Sequence, residues 1–184
     1  MGDCVPFSAS EDSASESHAV TPFAHKAAWD APSLRRARVL LVDDSKHDII
    51  LAKHFLLGSG GIDCELLTAQ SSQDALDVLL KARAAGHPID LILLDISMPG
   101  DGGFVCLTRI RDHPGLRQTP VVMCTGSGLD VDRRQARHLG IVGYIVKPPS
   151  PRTLREIVEC LPMFEVEDDD HGMRLMTAVA DRPA

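Results

Sequence analysis

Val39-Leu40-Leu41-Val42-Asp43-Asp44-Ser45 decides how the rest of the chain is read. Four branched apolar residues run together and stop at two adjacent acids. A strand buried on both faces has this pattern, as in a parallel sheet covered by helices. Ile89-Asp90-Leu91-Ile92-Leu93-Leu94-Asp95 repeats it, again ending on an acid. Open α/β sheets hold their ligands at the carboxyl ends of their strands. Carboxylates crowded there repel one another unless a cation lies between them. The first expectation is therefore a small acidic cation site at the top of a parallel sheet.

Composition narrows the class. The 184 residues suit one domain with extensions, and 44% hydrophobic with 24% charged residues is ordinary for a soluble chain. A formal net charge of -7 argues against nucleic-acid binding. No apolar run approaches membrane-spanning length, so no membrane partner is expected. The start, Met1-Gly2-Asp3-Cys4, lacks the basic, then apolar, character of a signal peptide. The five cysteines (Cys4, Cys64, Cys106, Cys124, Cys160) are scattered and odd in number, which suits free thiols in the cytoplasm. Cys106 and Cys124 sit in apolar patterns and read as small core residues.

Outward from the opening stretch, strands and helices alternate. Val39–Val42 is the first strand, and Ser45–Leu57 follows at helical spacing (Ile49, Ile50, Ala52, Phe55, Leu56). Ser45 is its predicted cap, with Asp48 completing a short capping box. Gly58-Ser59-Gly60-Gly61 ends that helix. Cys64–Thr68 is a strand, and Ser71 or Ser72 opens a helix turning Ala75, Leu76, Val78, Leu79 and Leu80 to the sheet. Ile89–Asp95 is the third strand. Phe104–Arg111 is a helix with Phe104, Leu107 and Ile110 inward. Val121–Thr125 is a strand, Asp130–Leu139 a polar helix, Gly143–Val146 a strand, and Ser150–Leu161 a helix with Leu154, Ile157 and Val158 on one face. Five strands alternating with five helices predict a doubly wound α/β fold, with a parallel sheet in the order 2-1-3-4-5. That order sets strands 1 and 3 side by side.

The flanks read differently. Residues 1–36 are rich in Ser, Ala, Pro, Asp and Glu without a sustained period, and are expected to be disordered or loosely docked through Phe23, Trp29 or Leu34. Residues 162–184 are expected to be an acidic tail. Its run Glu165-Val166-Glu167-Asp168-Asp169-Asp170 is read as solvated, and Met173, Leu175, Met176 and Val179 as one or two helical turns or a loose end.

Asp43, Asp44 and Asp95 thus come from adjacent strand ends. Three carboxylates without a histidine favour a hard cation, with Ser97 able to lend a backbone carbonyl. A bound cation would offset the charge of a phosphate and let one carboxylate attack phosphorus. Asp95, on the central strand before the turn Pro99, Gly100, Gly102, Gly103, is the best nucleophile. Thr125 ends the fourth strand and could donate to a phosphoryl oxygen. Lys147 ends the fifth and could set a compact positive charge against the same group. An Asp at a strand end is commonly a turn residue, and a Lys before Pro a solvated one. Five such residues at four neighbouring strand ends are harder to dismiss. His113 and His138 lie beside helix ends and are read as surface residues.

Leu41-Val42-Asp43-Asp44-Ser45, Leu94-Asp95-Ile96-Ser97-Met98-Pro99, Cys124-Thr125-Gly126 and Tyr144-Ile145-Val146-Lys147-Pro148 together resemble the signature of two-component response-regulator receiver domains over about residues 37–161. The resemblance implies a flavodoxin-like receiver fold and a stand-alone, chemotaxis-regulator-like switch. It makes Asp95 the phosphoacceptor, and Asp44 a direct and Asp43 a water-mediated ligand of Mg2+. It makes Ser97 the carbonyl ligand, Thr125 the hydroxyl that moves to the phosphoryl group, Tyr144 the aromatic switch and Lys147 the phosphate-binding lysine. The implied donor is the phosphohistidine of a sensor histidine kinase or a histidine phosphotransfer protein. Small phosphodonors also serve the family. The protein would catalyse only its own phosphorylation and dephosphorylation. With no DNA-binding domain after residue 161, its output is expected to be a protein contact.

There are departures. Gly102 stands at the family's usual Asp, which would loosen the turn into the following helix. Gly126 stands where Ala is common, which would widen access to the phosphate and quicken hydrolysis. The extra glycines between the first helix and second strand resemble loops in regulators serving bacterial phytochromes, some of which dimerise. A bacterial phytochrome and a homodimer built through the tail follow as expectations. Three rivals remain: a degenerate receiver acting only as an interaction module, a magnesium-dependent phosphohydrolase and a flavodoxin-like cofactor binder. The intact acids, threonine and lysine oppose the first. Ser97, where such hydrolases carry a second Asp, opposes the second. Clustered acids would repel a flavin phosphate.

Overall fold

The computed structural model describes residues 33–58, 61–100, 102–126, 136–170 and 172–179. Phe23 and Trp29, and most of the helix predicted over 130–139, lie outside the described residues; 136–138 are helical.

In chain order the strands are β1 (Leu34–Arg36), β2 (Arg38–Val42), β3 (Ile62–Asp63), β4 (Glu65–Ala69), β5 (Leu91–Asp95), β6 (Val121–Thr125), β7 (Gly143–Val146), β8 (Phe164–Asp169) and β9 (Gly172–Ala178). The helices with complete bounds are α1 (Lys46–Leu57), α2 (Ser72–Ala84), α3 (Gly102–Asp112) and α4 (Pro151–Val158). Five strands form one all-parallel sheet in the order β4-β2-β5-β6-β7. This is the order 2-1-3-4-5 expected from the sequence.

The apolar runs explain the layering. Successive strand side chains alternate faces. Val39, Leu41, Leu91, Leu93, Val122 and Cys124 therefore meet Ile49, Ala52 and Leu56 of α1 and Leu154 and Val158 of α4 on one side. Leu40, Val42, Ile92, Leu94, Val121 and Met123 meet α2 and α3 on the other. Both faces are covered, which is why the strands carry no polar alternation. Cys106 and Cys124 are core residues, as read. On α1, however, Ile50 and Phe55 face outward, at 66% and 43% exposure, and Leu80 of α2 is 39% exposed.

Local caps fix where the helices start. Ser71 accepts the Asp74 N–H at 3.1 Å, and Ser150 and Thr153 form a reciprocal capping box ahead of α4, with Pro151 in its first turn. Arg111, on α3, donates to the carbonyls of Arg117, Thr119, Leu139 and Gly140 at 3.0–3.2 Å. It thereby ties together the segments that lead into β6 and β7.

The C-terminal segment is neither a tail nor helical. β8 and β9 form an antiparallel hairpin; β9 also pairs antiparallel with β1 and parallel with β3. Met173, Leu175 and Thr177 are buried in alternation, a period of two rather than 3.6. Phe164, Met173 and Leu175 join the α1–α4 side of the main core together with Ile62. Burying one such leucine contributes about 1.5–3 kcal/mol relative to leaving it exposed. The acidic run does keep a solvated face, since most of Glu165–Asp169 is exposed, but it does so as a strand. Leu34, one of the expected docking residues, lies in β1 and is partly buried.

The small sheet gathers at the amino ends of the main strands. Ala37 joins β1 to β2, donating to Leu175 O at 2.8 Å and accepting from Glu65 N at 2.9 Å. The carboxyl ends are left clear for a site.

Candidate functional site

Asp43 follows β2, Asp95 ends β5, Thr125 ends β6 and Lys147 follows β7, so four neighbouring strands deliver them to one edge. Asp43, Asp95 and Thr125 are buried, at 2%, 3% and 1% exposure, while Asp44 is exposed. One carboxylate oxygen from each of Asp43, Asp44 and Asp95 lies within 4.8 Å of the others. Buried Asp95 Oδ1 accepts no hydrogen bond among the described residues. Three converging carboxylate oxygens fit a hard divalent cation such as Mg2+, which takes carboxylate oxygens and keeps open positions. Ser97 lies two residues beyond Asp95 and is exposed.

Lys147 is the counter-charge. Its Nζ lies 2.6 Å from Asp43 Oδ2, 3.0 Å from Asp48 Oδ2 and 3.2 Å from Asp95 Oδ1. Burial would push its ammonium down, but hydrogen bonds to Asp43 and Asp48 and the nearby Asp95 charge together hold it above its ordinary value. At Asp43 the balance goes the other way. Burial raises its carboxyl above the usual range, and the contacts with Lys147 and the Ser45 N–H only partly offset that. The site thus favours a cation more than one lysine can satisfy. Beneath it, burial pushes the Cys124 thiol up to about 12, so it stays protonated and inert.

The turn after Asp95 is held by its glycines. Gly102 has φ +63°, a conformation in which a side chain is strained. A Cβ on Gly103 would sit 2.1 Å from Asp95 O, so α3 can start this close to the site only with glycine there. Gly102 in place of the family's Asp therefore suits the backbone rather than loosening it. Gly126 is exposed, and a Cβ there would meet nothing within 4 Å.

Each residue read from the sequence as chemical lies where the strand order sends it. Tyr144, in β7, is partly buried against the core on the α2–α3 side. One participant was misread. The spacing Ser45 to Asp48 predicts half of a capping box. The Asp48 N–H does donate to Ser45 Oγ at 3.2 Å, but the Ser45 N–H is taken by Asp43 Oδ1 at 2.9 Å. The Asp48 carboxylate instead reaches Lys147, 99 residues away. Nothing local in the sequence signals that contact. A larger cleft, about 450 Å³, lies beside the small sheet at Cys64, Met173 and Arg174. Its charges are already paired, Arg174 with Asp63 at 3.4 Å and with Asp169 at 3.0 Å.

Residues 39–159 match the response regulator receiver domain family. The chain belongs to that family. Receivers are the phosphorylation-dependent switches of two-component signalling; they bind Mg2+ in an acidic pocket and interact with histidine kinases or phosphotransfer proteins. The receiver is 35% identical over 117 residues to the Escherichia coli transcriptional regulatory protein CpxR, covering 64% of this chain and 45% of that one. Among solved structures, the Vibrio cholerae chemotaxis protein CheY4 shares 30% identity at a TM-score of 0.58, covering 69% of this chain and 99% of CheY4. The bacteriophytochrome response regulator AtBRR shares 26% identity at a TM-score of 0.64, covering 74% of this chain and 99% of AtBRR. The chain spans less than half the length of the curated relatives it matches. No helix among the described residues is long and apolar enough to cross a membrane.

Proposed function

We propose that the protein is a cytoplasmic signalling switch that takes a phosphoryl group onto Asp95 from a histidine-kinase or phosphotransfer-protein phosphohistidine. The observation that supports it is the meeting of Asp43, Asp44 and Asp95 within 4.8 Å, with Lys147 bridging Asp43 and Asp95. An Asp95 carboxylate oxygen attacks phosphorus, the P–N bond of the donor breaks, and the imidazole leaves with that electron pair. Asp43, Asp44, Asp95 and the Ser97 carbonyl would hold Mg2+, whose charge offsets the phosphoryl oxygens. Lys147 gives its ammonium to one phosphoryl oxygen and Thr125 its hydroxyl to another. The new charge draws both side chains toward it, and Tyr144, in β7 three residues before Lys147, turns with them. The shift is one of population between two arrangements of the surface from 136 through β7 and α4. The output is a protein contact.

The likeness to AtBRR, a bacteriophytochrome response regulator, supports a bacterial phytochrome as the input. The deciding experiment is incubation with acetyl phosphate and Mg2+, read by intact mass. The wild type is expected to gain one phosphoryl group, and Asp95→Asn none. An Asp95→Asn protein labelled to full stoichiometry would refute the assignment.

A further inference from the structure

We infer that Asp48 is a positioning residue that holds Lys147 in a parked state and competes with the phosphoryl group for its ammonium. The inference rests on the receiver reading and deepens it. An ammonium has three N–H donors. Here it faces three carboxylates, at 2.6, 3.0 and 3.2 Å. A phosphoryl oxygen must compete with these carboxylates for the ammonium.

The three partners are not equivalent. Asp43 is 3% exposed at its side chain and belongs to the acidic triad that fits a cation. Asp95 becomes an acyl phosphate, so its carboxylate charge passes to the phosphoryl oxygens in the reaction itself. Asp48 stands outside the triad, on the first turn of α1, and its side chain is 38% exposed. It keeps its charge in both states. Its carboxylate is not needed as a cap, because Asp43 already takes the Ser45 N–H at 2.9 Å. What remains for it is the lysine, across the fold at 3.0 Å.

Removing this carboxylate leaves a lysine with one fewer competitor. Beryllofluoride, which mimics the phosphoryl group on an aspartate, reports that change without turnover. With Mg2+ present, Asp48→Asn is expected to bind beryllofluoride about fivefold more tightly than wild type, since a partly exposed ion pair is worth roughly 1 kcal/mol. Asp48→Ala, which also lacks the carboxylate, should behave alike, and both should stay folded, with a midpoint lowered by no more than about 2–4 °C.

Simple relief of charge repulsion predicts a gain too, but salt separates the causes. At about 1 M salt the screening length is about 3 Å, so a through-space effect fades while a contact competition persists. A fivefold gain retained at that salt supports the positioning role. No gain, or a gain that salt erases, overturns it. If the wild type itself binds no beryllofluoride with Mg2+, the receiver reading fails instead, and the two failures are distinct.

Discussion

The two ends of the parallel sheet are built to opposite rules. At the amino end cations and acids pair off. Arg35 forks onto Asp90 with two 2.8 Å bonds, Arg38 pairs with Glu65 at 2.9 Å, and Arg174 meets Asp169 at 3.0 Å. At the carboxyl end Asp43, Asp48 and Asp95 crowd one lysine, with Asp44 beside the two buried acids. One end is satisfied and closes the fold. The other is left in conflict, and conflict of that kind collects at functional sites. Removing an acid should therefore have opposite effects at the two ends.

The largest expected effect tests whether the amino end is a structural closure at all. Leu175 is fully buried in β9, as Leu93 is in β5. Leu175→Ala and Leu93→Ala should each cost about 2–5 kcal/mol in urea unfolding. A loose C-terminal segment would make Leu175→Ala nearly silent, within about 0.5 kcal/mol, and would erase the comparison.

Next come the acids. Asp90 accepts two bonds from Arg35 and one from the Arg38 N–H at 2.7 Å. Asp90→Ala should destabilise by about 1–3 kcal/mol, because a half-buried guanidinium and a backbone N–H lose their acceptor. Asp43→Asn should do the reverse. Without metal it should stabilise, because a buried carboxylate no longer has to be kept charged, while losing the rise in melting temperature that Mg2+ would give the wild type.

The pH dependence separates the ends by sign. Burial raises the Asp43 carboxyl in the folded state, so its stability contribution is greatest below the unfolded value near 4 and falls as pH rises through the folded one. The Arg38 hydrogen bond lowers the Glu65 carboxyl, so its contribution is present above the unfolded value and lost as pH falls. Asp43→Asn in the metal-free protein should flatten the first dependence, and Glu65→Gln the second, in melts across pH 3–7. The Glu65 effect should be under about 1 kcal/mol, since that side chain is half exposed.

The same contrast decides what the sequence could reveal. Strands covered on both faces leave continuous apolar runs, and Val39–Val42 and Leu91–Leu94 end on acids because the sheet ends there. Fold and triad were thus legible locally. The small sheet was not. β8 has one solvated face and reads as a charge run, and β9 buries Thr177, whose hydroxyl donates to Met163 O at 3.0 Å, so its alternation is masked. Its partner β1 comes from the far end of the chain, and nothing in Leu34–Arg36 announces the pairing. Asp48 failed for a related reason. A Ser with an acid three positions on is the local signature of a cap, and the contact that overrides it spans 99 residues.

The smallest expected effect sharpens the functional end further. Gly126 follows the buried Thr125, and a methyl group there would meet nothing within 4 Å. Gly126→Ala should therefore fold unchanged and act only on access. A methyl beside the phosphoryl group narrows the approach of the attacking water, and dephosphorylation should slow about twofold while uptake from acetyl phosphate stays the same. Loss of label over time, measured after removal of the donor, checks this. An unchanged rate would mean that Thr125 and Lys147 alone limit hydrolysis, and that the open space beside Gly126 has no part in the lifetime of the signal.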